Sequence, residues 1–324
     1  MNTNYPKVSI VILNWNGLGD TIECLESLKK ISYPNYEVVV IDNDSSGKDV
    51  EALNERYRDY IHIIANDRNY GFAEGNNIGI RYALAKQSDY VFMLNNDTIV
   101  DASFLTELVR VAEEDDKVGI LGGKIYYYAS PSRFQSVGGR IYWWLGYIED
   151  ISGQDDVGQF ERVAERDYVY ATAMLIKRQV IEKVGLLDSS LFFGMEDYDY
   201  CARAQKAGFK VLYVPGAKVW HKQGASRKKL PDYPETWRLI NREKGILSYK
   251  PRPVFHLFRK HGPRYLFVLP AVNHIIQEAI VNSFGMIRGA FYYLRRGDLR
   301  FIKKYLKDTL KHMVLRIGAL GKKH

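Results

Sequence analysis

The chain has only two cysteines, Cys24 and Cys201, in 324 residues. Two are too few for a disulfide scaffold or a cysteine-held zinc cluster, and they suit a reducing compartment. No Gly-x-Gly-x-x-Gly turn follows the first apolar segment, which runs instead into Asn14-Trp-Asn-Gly17. That argues against a dinucleotide enzyme, whose pyrophosphate needs a glycine-rich backbone. No uninterrupted apolar run approaches the ~18–20 residues of a membrane-spanning helix. The first residues, Met-Asn-Thr-Asn-Tyr-Pro-Lys, hold no apolar stretch of the kind a signal peptide requires. Internal repeats are lacking too.

What is present begins with a core: 46% of residues are hydrophobic, the level of a globular protein. The net charge of +8 conceals a split. Residues 1–217 carry 22 basic and 32 acidic side chains, whereas 218–324 carry 24 and 6. An acidic body with a basic tail points to an anionic partner for the tail, a membrane surface or a nucleic acid.

Val8–Leu13 is a continuous β-branched run, the pattern of a strand buried on both faces. A helix is expected over 18–30, then strand 37–42, helix 48–57, strand 60–65, helix 73–86 and strand 90–94. Helix 101–114 and strand 118–125 follow. Strands alternating with helices predict a mostly parallel sheet flanked by helices. Residues 126–166, rich in Tyr, Trp, Gly and Asp, break the rhythm and read as strands or loops covering a site. Then come strand 168–177, helix 178–184, helix 196–207 and strand 209–214, ending at Pro215. Beyond residue 225 the character changes. Residues 236–249 look helical, 264–296 are mostly apolar, and 298–316 read as a basic amphipathic helix. The expected division is one α/β domain over 1–225, with a first half to about residue 100 and a second half over 101–225. A helical, basic extension fills 226–324.

Several side chains stand where chemistry is done. Tyr90–Leu94 stops at an acidic turn that presents Asp97 at a strand's carboxyl end, where open α/β sheets bind ligands. Asp42, ending the second strand, can accept from the N3–H of a uracil or thymine ring; a plain capping turn is the alternative. Glu196-Asp-Tyr-Asp199 opens a helix, so its carboxylates sit at the positive end of a dipole that favours ionisation. Asp199 and Arg203, four apart, make an ordinary ion pair the default there. Trp143 and Trp144 can stack on a sugar or pack in a lid.

Four segments then stand in a telling order: Val8-Ser-Ile-Val-Ile-Leu-Asn-Trp-Asn-Gly17, Val40-Ile-Asp-Asn-Asp-Ser45, Asn69-Tyr-Gly-Phe-Ala-Glu-Gly-Asn-Asn-Ile-Gly79 and Leu94-Asn-Asn-Asp-Thr98. Together they resemble the successive motifs of family 2 glycosyltransferases with the GT-A fold, and more narrowly the rhamnosyltransferase-like branch, over roughly residues 7–221. The resemblance implies an inverting transferase using a nucleoside-diphosphate sugar and a divalent cation, Mg²⁺ or Mn²⁺. The family's D-x-D element falls on Asn95-Asn96-Asp97, so its first Asp is missing and Asp97 is carried over as a metal ligand. His221 matches a family position that ligates the cation. Asp197 matches the catalytic base, with Glu196 beside it. Donor contacts are expected from Asn14, Asn16, Asp42, Asn43, Arg68, Asn69, Gly71, Asn76, Asn95 and Asn96. Asn77 is a further amide in the same segment. Trp143, Trp144 and Asp199 are assigned to the acceptor side. Ala171 stands where the family usually has glycine.

The implied donor is dTDP-L-rhamnose or a UDP-sugar. The implied acceptor is a glycan or a polyprenyl-diphosphate-linked glycan at the inner membrane face, which suits the basic tail better than nucleic acid. Cytoplasmic, peripheral attachment to the cell membrane is expected, and a homo-oligomer stays open. Two alternatives remain. A processive synthase would show Gln-x-x-Arg-Trp, which Glu235-Thr-Trp-Arg238 does not match. A catalytically weak nucleotide-sugar or glycan binder is suggested by Asn95 standing in place of an Asp.

Overall fold

The computed structural model describes residues 5–144, 147–191, 194–223, 257 and 260–262. The expected helices at 236–249 and 298–316, the apolar stretch 264–296 and nearly all of the 226–324 extension lie outside the described residues.

The described chain builds a mixed sheet between two helical layers. Strands β1 (Val8–Asn14), β2 (Tyr36–Asp42), β3 (Ile61–Ala65) and β4 (Tyr90–Asn95) are mutually parallel, in the order β4-β1-β2-β3. The helices between them are α1 (Leu18–Leu28), α2 (Asp49–Tyr57) and α3 (Gly71–Ala85). Alternation along β1 explains the two-sided core. Val8, Ile10 and Ile12 pack with Leu25 and Leu28 of α1 on one face, while Val11 packs with Ala73, Ile80 and Ala83 of α3 on the other. The glycines of α3 serve this packing. A Cβ at Gly79 would collide with Val11 Cγ1, and one at Gly75 would come 2.6 Å from Leu13 Cδ1.

After β4 come the short strand β5 (Thr98–Val100), helix α4 (Phe104–Ala112) and strand β6 (Val118–Tyr127). The region 128–166 forms strands β7 (Ser130–Ser136), β8 (Gly139–Tyr142), β9 (Tyr147–Asp150) and β10 (Ala164–Glu165), matching its expected strand-and-loop character. β8 and β9 pair as a separate hairpin. Strand β11 (Ala173–Lys177), helices α5 (Arg178–Val184) and α6 (Glu196–Lys206) and strand β12 (Lys210–His221) complete the described body.

Two elements depart from the sequence reading. β11 runs antiparallel between β4 and β6, so the sheet changes direction at its centre. β12 does not stop at Pro215 but continues to His221, with a register shift between Val214 and Lys218 that accommodates the proline's missing N–H. That continuation pairs β12 antiparallel with β5, opposing His221 to Thr98. Among the described residues no helix is long and apolar enough to cross a membrane.

Candidate active site

The carboxyl ends of β1, β2 and β4 meet the start of α6 and the end of β12 at one edge of the sheet. The β5–β12 ladder sets Thr98 opposite His221 and so brings distant parts of the chain together. Lys222 N donates to Asp97 O at 2.9 Å, and Asp97 Oδ1 then lies 2.9 Å from His221 Nε2. Both side chains are buried. His221 Nδ1 is 2.8 Å from Gln135 Oε1. An amide oxygen only accepts, so Nδ1 carries the proton, and in the neutral ring Nε2 presents a lone pair. Asn95 Nδ2 stands 3.3 Å from that same Nε2. At 2.9 Å the two atoms stand at the distance of a hydrogen bond through a proton on Nε2, and a cation replacing that proton would meet the same pair. A carboxylate oxygen and an imidazole nitrogen, with an amide nearby, are donors of the kind a divalent cation takes. Among the described residues no cluster of three His, Cys, Asp or Glu side chains stands ready-made, so this protein-derived set is small. Cys24 Sγ approaches Asn95 O at 3.8 Å, but burial pushes its thiol up to about 12, so it offers no thiolate.

Asp197 is joined to this edge through the backbone. Its Oδ2 accepts from Ala171 N at 3.3 Å, and the next carbonyl, that of Thr172, accepts from Asn95 N at 2.9 Å. The helix that carries Asp197 begins in a constrained turn: Gly194 has φ +99° and Met195 φ +74°. A left-handed methionine stores strain of about 1–3 kcal/mol, and such strain gathers where a side chain must be aimed. The sequence reading held Asp197 ionised by the helix dipole. Burial works more strongly the other way and pushes its carboxyl up to about 6, against the amides of Ala171 and Tyr198, with the charge of Asp150 adding to the rise. Glu196, at the first position of α6, is buried beside it.

The amides expected to touch a donor turn out to join strand ends. Asn14 is fully buried: Nδ2 donates to Asp42 Oδ1 (2.7 Å) and Asp49 Oδ2 (3.0 Å), and Oδ1 accepts from Thr21 (2.8 Å) and Asn96 (3.3 Å). Asn96 also donates to Thr21 at 2.9 Å, and a Cβ at Gly17 would strike it. Asn43 donates to Asn69 Oδ1 and Gly71 O and accepts from Asn66 and Tyr70 N, shaping the loop before α3. Asn69 also accepts from Gly71 N at 2.8 Å. Asn76 is buried, its amide turned onto Phe72 O in its own helix, and Asn77 ties α3 to both backbone groups of Leu187. Asn14, Asn43, Asn76 and Asn96 thus brace the strand ends and helix starts, because buried amides must find partners and strand-end loops supply them. Asp42 accepts from Asn14 and from Ser45 N and Oγ. Asn16, with φ +53°, accepts from Ser46 N at 2.8 Å at the rim. Arg68 is exposed and lies over the Tyr70 ring.

Asp199 sits in an ion cluster. It is buried and bound by Arg203 Nε (2.9 Å), Lys260 Nζ (2.7 Å) and His261 Nε2 (2.7 Å). Burial opposes its ionisation, yet these partners hold its carboxyl well below the ordinary carboxylate range. It pins residues 260–261 to α6. The tryptophans part company: Trp143 packs in the core near His261, and Trp144 is 63% exposed. Lys222 pairs with Asp20 and Glu23 of α1. Gln135, Asp150, Tyr170 and Thr21 were not singled out from sequence. Of these only Thr21 had a signal, its spacing from Gly17 at a helix start.

Residues 6–240 match the model of the family described as glycosyltransferase like family 2. The chain belongs to that family. Similar curated proteins include the dTDP-rhamnosyl transferase RfbF of Shigella flexneri, 23% identical over 96% of this chain and 95% of the relative. An uncharacterized protein, y4gI of Sinorhizobium fredii, is 28% identical over 74% of this chain, which spans only 27% of that relative's length. Among solved structures, GalNAc-T7 with UDP, GalNAc and Mn²⁺ superposes with a TM-score of 0.58 at 18% identity, covering 82% of this chain and 56% of that one. This last likeness shows the fold alone, the GT-A arrangement expected from the motifs. The site described above thus belongs to a family 2 glycosyltransferase and lies at the carboxyl ends of its parallel strands.

Proposed function

We propose that this family 2 glycosyltransferase is an inverting, metal-dependent enzyme that moves L-rhamnose from dTDP-rhamnose, or a sugar from a UDP-sugar, to a glycan or lipid-linked glycan acceptor. The observation that carries the reading is the approach of Asp97 and His221 at 2.9 Å, with Asp197 held by Ala171 N and the neighbouring Thr172 carbonyl bonded to Asn95 N. The name of RfbF supports the rhamnosyl donor, and the Mn²⁺ in the GalNAc-T7 structure supports the cation.

Asp97 and His221 would hold Mg²⁺ or Mn²⁺, with Asn95 beside them. When bound, the cation supplies positive charge for the departing diphosphate. Asp42 accepts from the N3–H of the base. Asp197 takes the proton of an acceptor hydroxyl as that oxygen bonds to the anomeric carbon and the bond to the nucleoside diphosphate breaks. A carboxyl near 6 is mostly ionised at neutral pH and still basic enough to accept. Exposed Trp144 offers an apolar face to an acceptor ring.

The test is nucleoside-diphosphate release from dTDP-rhamnose and UDP-sugars, with Mn²⁺, Mg²⁺ or chelator, in wild type and Asp97→Ala. Cation-dependent release that disappears in Asp97→Ala supports the reading. Donor binding without release, whatever the acceptor, favours the weak-binder alternative.

The basic segment 218–324 is assigned to an anionic membrane surface, placing the enzyme at the cytoplasmic face of the cell membrane. Deleting residues 298–324 should abolish co-sedimentation with anionic vesicles. Retention on DNA at physiological salt, with no vesicle binding, would overturn that assignment.

A further inference from the structure

Asp150 ends β9, far in sequence from every motif, yet its carboxyl is buried beside the catalytic edge. Tyr170 Oη donates to its Oδ2 at 2.8 Å and Ser136 Oγ to its Oδ1 at 3.2 Å. Tyr198, the residue after Asp197, donates to Tyr170 Oη at 3.4 Å. The rings of Tyr168 and Tyr198 pack with centroids 4.1 Å apart, which locks β11's entry segment against α6. Ala171, directly after Tyr170, gives its amide to Asp197.

We propose that Asp150 is a positioning residue for Asp197: it anchors Tyr170, whose neighbour Ala171 donates to the base, and it places a second buried carboxylate within electrostatic reach of that base. The proposal rests on the reading of Asp197 as the base, and its test is chosen to stand apart from turnover. Other ionisable groups around the pair are Tyr127 of β6, Arg133 of β7 next to Tyr127, Tyr168 and Tyr170 before β11, and Cys201 and Asp199 on α6. Burial raises the Asp150 carboxyl, while the hydroxyls of Tyr170, Tyr168, Ser136 and Ser152 favour its ionised form. Two buried carboxylates in reach of each other resist double ionisation, so the charge at 150 keeps the base from becoming too weak.

The experiment follows carboxyl ¹³C resonances of the full chain labelled at aspartate through a pH titration. The Asp197 signal is identified by its loss in Asp197→Asn. In Asp150→Asn that signal should titrate at a lower pH, by about half a pH unit or more, because the neighbouring charge is gone. Tyr170→Phe serves if Asp150→Asn fails to fold. Losing its hydroxyl leaves Asp150 neutral over more of the range, and the Asp197 signal again moves down. An Asp197 signal that titrates unchanged in the folded variants overturns the proposal. If the signal moves but no donor is consumed by wild type, the positioning role stands and the transferase reading fails.

Discussion

Gln135 Oε1 lies 2.8 Å from His221 Nδ1, and this contact decides which nitrogen of the imidazole faces Asp97. An acceptor on Nδ1–H leaves the Nε2 lone pair for a cation. Gln135→Leu keeps the volume and removes the acceptor. It should weaken cation-dependent donor binding by about 10- to 100-fold, with a smaller effect on folding. Calorimetric titration of Mn²⁺ with donor present checks this; unaltered cation affinity would show that the ring needs no such orientation.

Asp197→Asn should reduce transfer by about 10²- to 10⁴-fold and leave donor affinity intact. In wild type kcat/KM should fall as pH drops below about 6, where the carboxyl gains its proton. The stability effect has the opposite sense to that of a salt-bridged carboxylate. The folded protein holds this proton more tightly than the unfolded chain, so stability declines as pH rises from about 4 towards 6. Asp197→Asn should therefore raise the melting temperature at neutral pH. A lower one would mean that the carboxylate supports the fold.

Asp199 behaves in the reverse manner. Its carboxyl lies well below the ordinary range in the folded state, so its stabilisation is full above about pH 4 and is lost as pH falls further. Asp199→Asn leaves Arg203, Lys260 and His261 without their shared anion. The expected loss is about 3–5 kcal/mol, the scale for breaking a buried ion pair. Denaturant unfolding at neutral pH and near pH 3 measures both parts; equal stability of the two proteins at neutral pH would dismiss the ion cluster as a support.

Gly79→Ala should destabilise by about 1–3 kcal/mol, because the new methyl drives α3 away from Val11 of β1. The loop before α3 carries Asn69 and Tyr70, so donor affinity should fall with stability. A variant that melts at the wild-type temperature would show that the helix can shift without cost.

The strands and helices of the first hundred residues were legible because they rest on local pattern. β-branched runs such as Val8–Leu13 and the apolar spacing of Leu18, Ile22, Leu25 and Leu28 report burial directly. The extension of β12 past Pro215 was not legible, since a proline ordinarily ends a strand and only the partner strands show how the register slips. The hydrogen-bond partners of the amides were not legible for a related reason. A sequence shows that Asn14, Asn43, Asn76 and Asn96 are polar and near strand ends or helix starts, but not whether a neighbour already satisfies them.

By itself the sequence determined the order of the elements, the family and the residue types at the ends of the strands, all properties of short stretches of chain. Tertiary structure alone decided that His221 meets Asp97, that Gln135 turns the imidazole, and that Asp150 and Tyr170 stand behind Ala171. Those contacts join residues that chain connectivity leaves far apart. Their geometry follows from sheet pairing and from burial, which fix hydrogen-bond partners and proton affinities only when the whole sheet is assembled.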